Sequence, residues 1–227
     1  MLKILSFAYA VKHEFGGKPD KLGLEKKLLI ALNYWREYRT YAHLGVTYGY
    51  SESQICRIVC WCEDILINSG KFIVKGKRSL LSINPSNIVL IDATESPIQR
   101  PKKRQSAFYS GKKKRHTMKT QLVVNKTTRE IICVHTSNVK THDFKVLRDS
   151  KLPIKADTLV TTDSGYQGLQ ELHAKTEPPK KKSKHKPLSK SDKKANYLLS
   201  VKRAFNEQVN GVVKVFKIIA EKYRNRR

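Results

Sequence analysis

Asn87-Ile-Val-Leu-Ile-Asp-Ala93 marks a change in the character of the chain. Four consecutive apolar residues, closed by an acid, read as a short buried β-strand. Upstream of about residue 85, apolar side chains recur at helical spacing; downstream they gather in short runs rich in Val, Ile and Thr. Three further runs read as strands: Thr120 to Asn125, Glu130 to Thr136 and Thr158 to Asp163. The second and third strands form a hairpin. A helix opening at Thr141-His142-Asp143 and stopped by Leu152-Pro153 separates the third from the fourth, so the fourth can run parallel to the first. Residues Pro178 to Lys194 carry eight lysines and one acid, Asp192, and read as an exposed loop; the chain closes with a long helix from about Ala195 to Arg224. The fold class is therefore mixed, α+β or α/β, with a helical domain over residues 1–84 and a mixed-sheet domain over residues 85–227.

The helical domain has an internal order of its own. Met1 to Ala10 lacks an apolar segment long enough for a signal peptide and reads as the first helix. Leu24, Leu28, Leu29, Leu32 and Trp35 place a stripe on a second helix. A short helix from Tyr41 to Tyr48, a tight turn at Gly49-Tyr50, and a longer helix from Ser51 to about Asn68 resemble a helix-turn-helix unit. Ser51-Glu-Ser-Gln54 is a capping-box pattern, which fixes where the longer helix starts. Its buried stripe is Ile55, Ile58, Val59, Cys62, Ile65 and Leu66; Glu52, Ser53, Gln54 and Arg57 are left near the exposed end. Gln54 and Arg57 are the candidate base readers. Cys56, Cys60 and Cys62 on the same helix read as core packing rather than metal ligands.

Charge narrows the partner. The 227 residues hold 46 Lys and Arg against 19 Asp and Glu, a formal net charge of +27, with 39% hydrophobic residues to build a core. That excess repels itself unless a polyanion absorbs it, and nucleic acid is the leading one. No apolar run approaches the roughly 18 residues of a membrane-spanning helix. Four cysteines without a Cys-x-x-Cys pair, in a chain too long to need disulfide staples, fit the reducing cytoplasm.

Two carboxylates stand at strand ends. Asp92 follows Ile88-Val-Leu-Ile91 and Asp163 follows Leu159-Val-Thr-Thr162. Adjacent strands would bring these like charges together, which is costly unless a hard cation such as Mg²⁺ lies between them; ordinary turn aspartates would look the same. On the last helix, Arg203, Glu207 and Lys214 fall at 0°, about 40° and about 20° around the axis, one narrow stripe. Leu198, Val201, Phe205, Val209, Val212, Val213 and Phe216 supply its apolar surface. Alternation along the strand points Glu95 away from Asp92, Asp143 reads as a helix N-cap, and His116 and His142 read as packing or phosphate contacts. Between the first two strands, Arg100, Lys102, Lys103, Arg104, Lys112, Lys113, Lys114, Arg115 and Lys119 occur without an acid among them, interleaved with Phe108, Tyr109 and His116. That combination neutralises phosphate and offers aromatic faces to unpaired bases.

Taken together these segments resemble a known family. Ile91-Asp-Ala-Thr-Glu-Ser-Pro-Ile-Gln-Arg-Pro-Lys-Lys103, Tyr109-Ser-Gly-Lys-Lys-Lys-Arg-His-Thr-Met-Lys-Thr-Gln121, Asp163-Ser-Gly-Tyr166, and Arg203 with Glu207 and Lys214 are similar to the DDE transposases of bacterial insertion sequences, the insertion-sequence-five type in particular. Tyr38-Arg-Thr-Tyr41, Tyr48-Gly-Tyr-Ser-Glu-Ser53 and Tyr223-Arg-Asn-Arg226 extend the likeness over nearly the whole chain. The resemblance implies an RNase H-like catalytic domain with Asp92, Asp163 and Glu207 as a metal-binding triad. It implies two Mg²⁺ ions, with Mn²⁺ as substitute, cleavage at element ends and strand transfer into target DNA. Arg203 and Lys214 would hold the DNA backbone, and a homodimer would act on paired ends, in the cytoplasm at the nucleoid. Ser200 stands where the family often has Tyr, and the chain stops at Arg227 where members commonly run on, leaving a shortened C-terminus as one reading. The alternative function is a catalytically inactive transposase or a regulator that binds DNA through the helix-turn-helix domain alone. An RNA-binding protein would account for the charge but not for the three placed acids.

Overall fold

A computed structural model describes residues 1–14, 16–84, 87–162, 164–166, 168–177 and 189–224, and of residues 164, 172, 177 and 202–206 the backbone alone. The chain forms two compact units. The first comprises Met1–Ile73 with Val215–Glu221, the second Val74–Lys214 with Lys222–Arg227.

The first unit is helical: α1 (Leu2–Glu14), α2 (Leu24–Glu37), α3 (Tyr41–Tyr48), α4 (Glu52–Asn68) and the short α8 (Lys217–Ala220), which packs on α2. Its core has two parts. Ile30, Leu44, Ile55 and Val59 join α2, α3 and α4, while Leu5, Ala31, Cys62 and Leu66 join α1 to α2 and α4. On α2 the buried positions are Lys27, Ile30 and Ala31. Leu29, placed on the buried stripe by spacing, is 49% exposed, because the buried positions Lys27 and Ala31 lie on the opposite side of α2. Lys27 is buried with its ammonium on Asp20 and facing the rings of Tyr9 and Trp61.

The turn between α3 and α4 follows from two glycines. Gly49 takes a left-handed conformation (φ 75°) as the C-cap of α3. At Gly45, a Cβ would lie 2.4 Å from the Tyr50 carbonyl oxygen, so α4 can approach α3 only if this residue has no side chain. The Ser51 hydroxyl then accepts from Gln54 N–H at 3.3 Å while Gln54 Oε1 accepts from Ser51 N–H at 3.0 Å, the reciprocal cap expected from sequence.

The second unit is built on a mixed sheet: β1 (Ile88–Pro97), β2 (Tyr109–Ser110), β3 (Arg115–Asn125), β4 (Ile131–Asn138), β5 (Leu159–Thr162) and β6 (Thr176–Glu177). The order is β4-β3-β1-β5-β6, with β2 paired only to the start of β3. β1 is antiparallel to β3 over Val89–Pro97 and parallel to β5 over Ile88–Ile91. The hairpin of β3 and β4 and the parallel return of β5 are as the sequence predicts, consistent with an RNase H-like domain. α5 (Asp143–Ser150), α6 (Leu169–Leu172) and α7 (Lys190–Lys214) complete it.

β1 is apolar without alternation because both of its faces are covered. Val89 and Ile91 join Val123, Leu147, Val160 and Tyr166 on the face of α5; Leu90, with Leu122 and Val124, meets Val209 of α7 on the other. β1 and β3 extend well beyond the apolar runs that announced them. The last helix starts earlier and ends sooner than its sequence pattern suggests, at Lys190 and Lys214, and the chain then enters α8. Residues 178–188, the core of the expected lysine loop, lie outside the described residues. Most of the apolar surface assigned to the last helix faces outward: Leu198 is 55%, Val201 57% and Val212 67% exposed, and Val209 makes the sheet contact.

These glycines give two substitutions of opposite sign. Gly45→Ala should lower the stability of the helical unit by about 1–3 kcal/mol through the clash with Tyr50, whereas Gly211→Ala, with open space around it on α7, should raise that of the second unit by about 0.5–1 kcal/mol. Urea unfolding followed separately for each unit checks both.

Candidate active site

Asp92 lies within β1 rather than at its end. Parallel pairing with β5 stops at Ile91 opposite Thr162, while pairing with β3 continues. Asp92 is therefore the first residue of β1 beyond the reach of β5. By alternation it shares the face of Leu90, the face on which α7 packs. Its Oδ1 accepts the Ala93 N–H at 2.8 Å and its Oδ2 accepts Asn210 Nδ2–H of α7 at 2.6 Å.

α7 brings more than Asn210 to this place. Burial pushes the Lys214 ammonium below the usual lysine range, and the nearby charge of Lys113 pushes the same way; the carboxylates of Asp92 and Glu95 pull it back. Glu207 is exposed, one turn before Asn210. Asp163 and the side chain of Arg203 lie outside the described residues. Among the described residues no three His, Cys, Asp or Glu side chains converge as a metal-binding group. The acids and amide that α7 and β1 do offer are all oxygen donors, the donor type that suits Mg²⁺ or Mn²⁺.

Glu95 faces away from Asp92, as alternation requires. It accepts from Thr117 Oγ1 at 3.0 Å and stands opposite Lys119 in register. Asp143, expected to cap α5, is instead its first helical residue, and His142 occupies the cap position without a side-chain cap bond. The Asp143 carboxylate binds Lys119 Nζ at 2.7 Å. A Cβ on Gly165 would come within 2.5 Å of Asp143 Oδ2, which explains the glycine two residues after Asp163. The next residue, Tyr166, is fully buried among Val89, Leu147 and Val160. Thus the segment following Asp163 is tied down by a bare Cα against a carboxylate and by a buried ring.

The basic side chains form a surface. Arg100, Lys102, Lys103, Arg104, Lys112, Lys113, Lys114 and Arg115 are all exposed, on the connection from β1 to β3. Tyr109 and His116 meet edge to face at 5.5 Å beside them. Lys119 does not belong to that surface, since Asp143 and the Thr141 carbonyl hold its ammonium internally. In the helical unit Glu52, Ser53, Gln54 and Arg57 are exposed. Gln54 spends its carbonyl on the cap, which leaves its amide nitrogen for a partner. A cleft of about 570 Å³ beside it is lined by Lys12, Lys21, Lys27, Gln54, Arg57 and Trp61 among others. Cys62 is buried, but Cys60 is exposed, so packing does not account for that thiol.

Sequence reasoning missed Asn210 and the Lys119–Asp143–Gly165 contact. Asn210 did carry a signal: it falls about 20° from Arg203 on the helix wheel, bordering the stripe on the side away from Glu207 and Lys214.

Residues 83–227 match the family described as the transposase DDE domain, and residues 20–72 match the helix-turn-helix of DDE superfamily endonuclease. Over 211 residues the chain is 44% identical to a protein of Microchaete diplosiphon named as the probable transposase for insertion sequence element IS702, covering 92% of this chain and 76% of that relative. No solved structure matches the chain. Among the described residues no helix is long and apolar enough to cross a membrane. With a DDE domain over most of its length, a helix-turn-helix region before it and a relative of this identity, the chain belongs to the DDE transposases.

Proposed function

We propose that this transposase binds the ends of an insertion sequence through its helical unit and cuts and rejoins DNA at a site made by Asp92, Asp163 and Glu207. The observation that carries this reading is the position of Asp92, a half-buried carboxylate on β1 just past its pairing with β5, held by a side chain of α7.

In the first step a water oxygen attacks the phosphorus at the element end, and the bond from phosphorus to the 3′ oxygen breaks, leaving a 3′-hydroxyl. In the second that hydroxyl attacks a phosphodiester of the target, so one phosphorus–oxygen bond forms as another breaks. Two Mg²⁺ ions, or Mn²⁺ in their place, held by Asp92, Asp163 and Glu207, would supply the charge that acidifies water and offsets the negative charge gathered at phosphorus. Lys214, close to Asp92 and Lys113, holds the phosphate backbone against the carboxylates, and Arg203 does the same from its place on the stripe. The exposed bases from Arg100 to Arg115 bind the flanking duplex, and Tyr109 and His116 offer faces to bases freed near the cut. Arg57 and the Gln54 amide read the groove. The active form is a homodimer that pairs two ends, acting at the nucleoid in the cytoplasm.

A supercoiled plasmid carrying the DNA that flanks this coding sequence tests the reading. With Mg²⁺ the protein should cut at the element boundaries. Asp92→Asn, Asp163→Asn and Glu207→Gln should each slow cutting by about a hundredfold or more while still retarding the DNA in a gel. A wild-type protein that retards the DNA but cuts it with neither Mg²⁺ nor Mn²⁺ would be a binder alone. Replacing Lys112, Lys113 and Lys114 together by Gln should reduce the slope of log affinity against log salt by about three, one for each lost phosphate contact, as measured by fluorescence anisotropy on duplex DNA.

A further inference from the structure

The hydrogen bond from Asn210 to Asp92 spans 118 residues of sequence and joins α7 to β1. It falls on the carboxylate around which the proposed chemistry is arranged. Its neighbour Val209 packs against Leu90, Leu122 and Val124, so the backbone that carries Asn210 is anchored to the same sheet face as Asp92. The side chain is half-buried, and the amide is neutral.

Neutrality matters here. An ammonium at this distance would compete with a cation for the carboxylate, and another carboxylate would repel it. An amide N–H donated to one oxygen fixes the plane of the carboxylate without adding charge. The second oxygen accepts the Ala93 N–H, so donors from β1 and from α7 both act on its orientation. Partners of this kind orient a ligand and commonly change metal affinity by about 10–100-fold when removed.

We propose that Asn210 is a positioning residue of the site: it holds the Asp92 carboxylate at the angle from which it receives the divalent cation. The proposal rests on the reading of Asp92 as a metal-binding group. It adds to the family pattern of Asp92, Asp163, Arg203, Glu207 and Lys214 a residue of α7 bordering their stripe that this pattern does not contain.

Calorimetric titration of the full chain with Mn²⁺, in the presence of nonspecific duplex DNA, separates the two readings. Asn210→Leu keeps the shape and removes the donor. It should weaken Mn²⁺ binding about tenfold or more, with thermal unfolding in the absence of metal and DNA retardation both close to wild type. Asn210→Gln, which keeps an amide on a longer stem, should recover part of that loss; a residue that served only to fill space would gain nothing from the amide. Should Asn210→Leu fail to fold, Asn210→Ser carries the same expected loss. Wild-type Mn²⁺ affinity in a folded Leu or Ser variant, with binding lost in Asp92→Asn, would overturn the role of Asn210 alone. Wild-type affinity in Asp92→Asn would overturn the metal reading of Asp92 on which it stands.

Discussion

A strand covered on both faces can present a carboxylate only where one of its neighbours ends. β1 is buried by the α5 side through Val89 and Ile91 and by the α7 side through Leu90. The parallel pairing with β5 ends at Ile91, and the next residue is Asp92. The carboxylate therefore opens at the edge of the parallel pair, toward a helix that carries Asn210 and Lys214. Desolvation would make such an acid costly without partners. Two hydrogen-bond donors and a nearby lysine supply them, and they leave a group suited to a hard cation.

Charge connects this site to the rest of the chain. A net charge of +27 opposes compaction unless it is spread over surfaces that meet DNA. The exposed bases from Arg100 to Arg115 leave and re-enter the sheet on either side of β2, so the strand that holds Asp92 also leads into the exposed basic surface. Two lysines drawn inward are paired among the described residues: Lys27 with Asp20, and Lys119 with Asp143. The Lys119 pair has a second consequence, because Asp143 abuts Gly165, just past Asp163, and so links α5 to the end of β5.

The elements legible in the sequence were those written in apolar periodicity or in local caps. The turn and cap at Gly49 and Ser51, the hairpin of β3 and β4, and the apolar start of β1 all depend on neighbours in sequence. The polar second half of β1 did not show, since Thr94 to Pro97 is held by pairing with Thr117 to Thr120 rather than by an apolar face. The break after Lys214 was hidden too: apolar residues continue past it, but they fold into α8 with the helical unit. Asp143 looked like a cap because its helix begins there; only the fold could reveal Lys119 opposite it. Asn210 borders the stripe of Arg203, Glu207 and Lys214, but a neutral amide there carries no charge pattern to mark it. Spacing and resemblance named Asp92, Asp163 and Glu207; of these the structure partners Asp92 and leaves Glu207 exposed one turn from Asn210.

The most direct test of a shared cation site is to let the ion report its own surroundings. With Fe²⁺ in place of Mg²⁺, ascorbate and peroxide generate hydroxyl radicals that cut the nearest polypeptide backbone, and mass spectrometry locates the cuts. The expected result is three clusters of cuts, around Asp92, around Asp163 and between Glu207 and Asn210, all suppressed by excess Mg²⁺. Cuts confined to other parts of the chain, such as the Cys56 to Cys62 segment, or cuts indifferent to Mg²⁺, would contradict a site built from these strands and this helix.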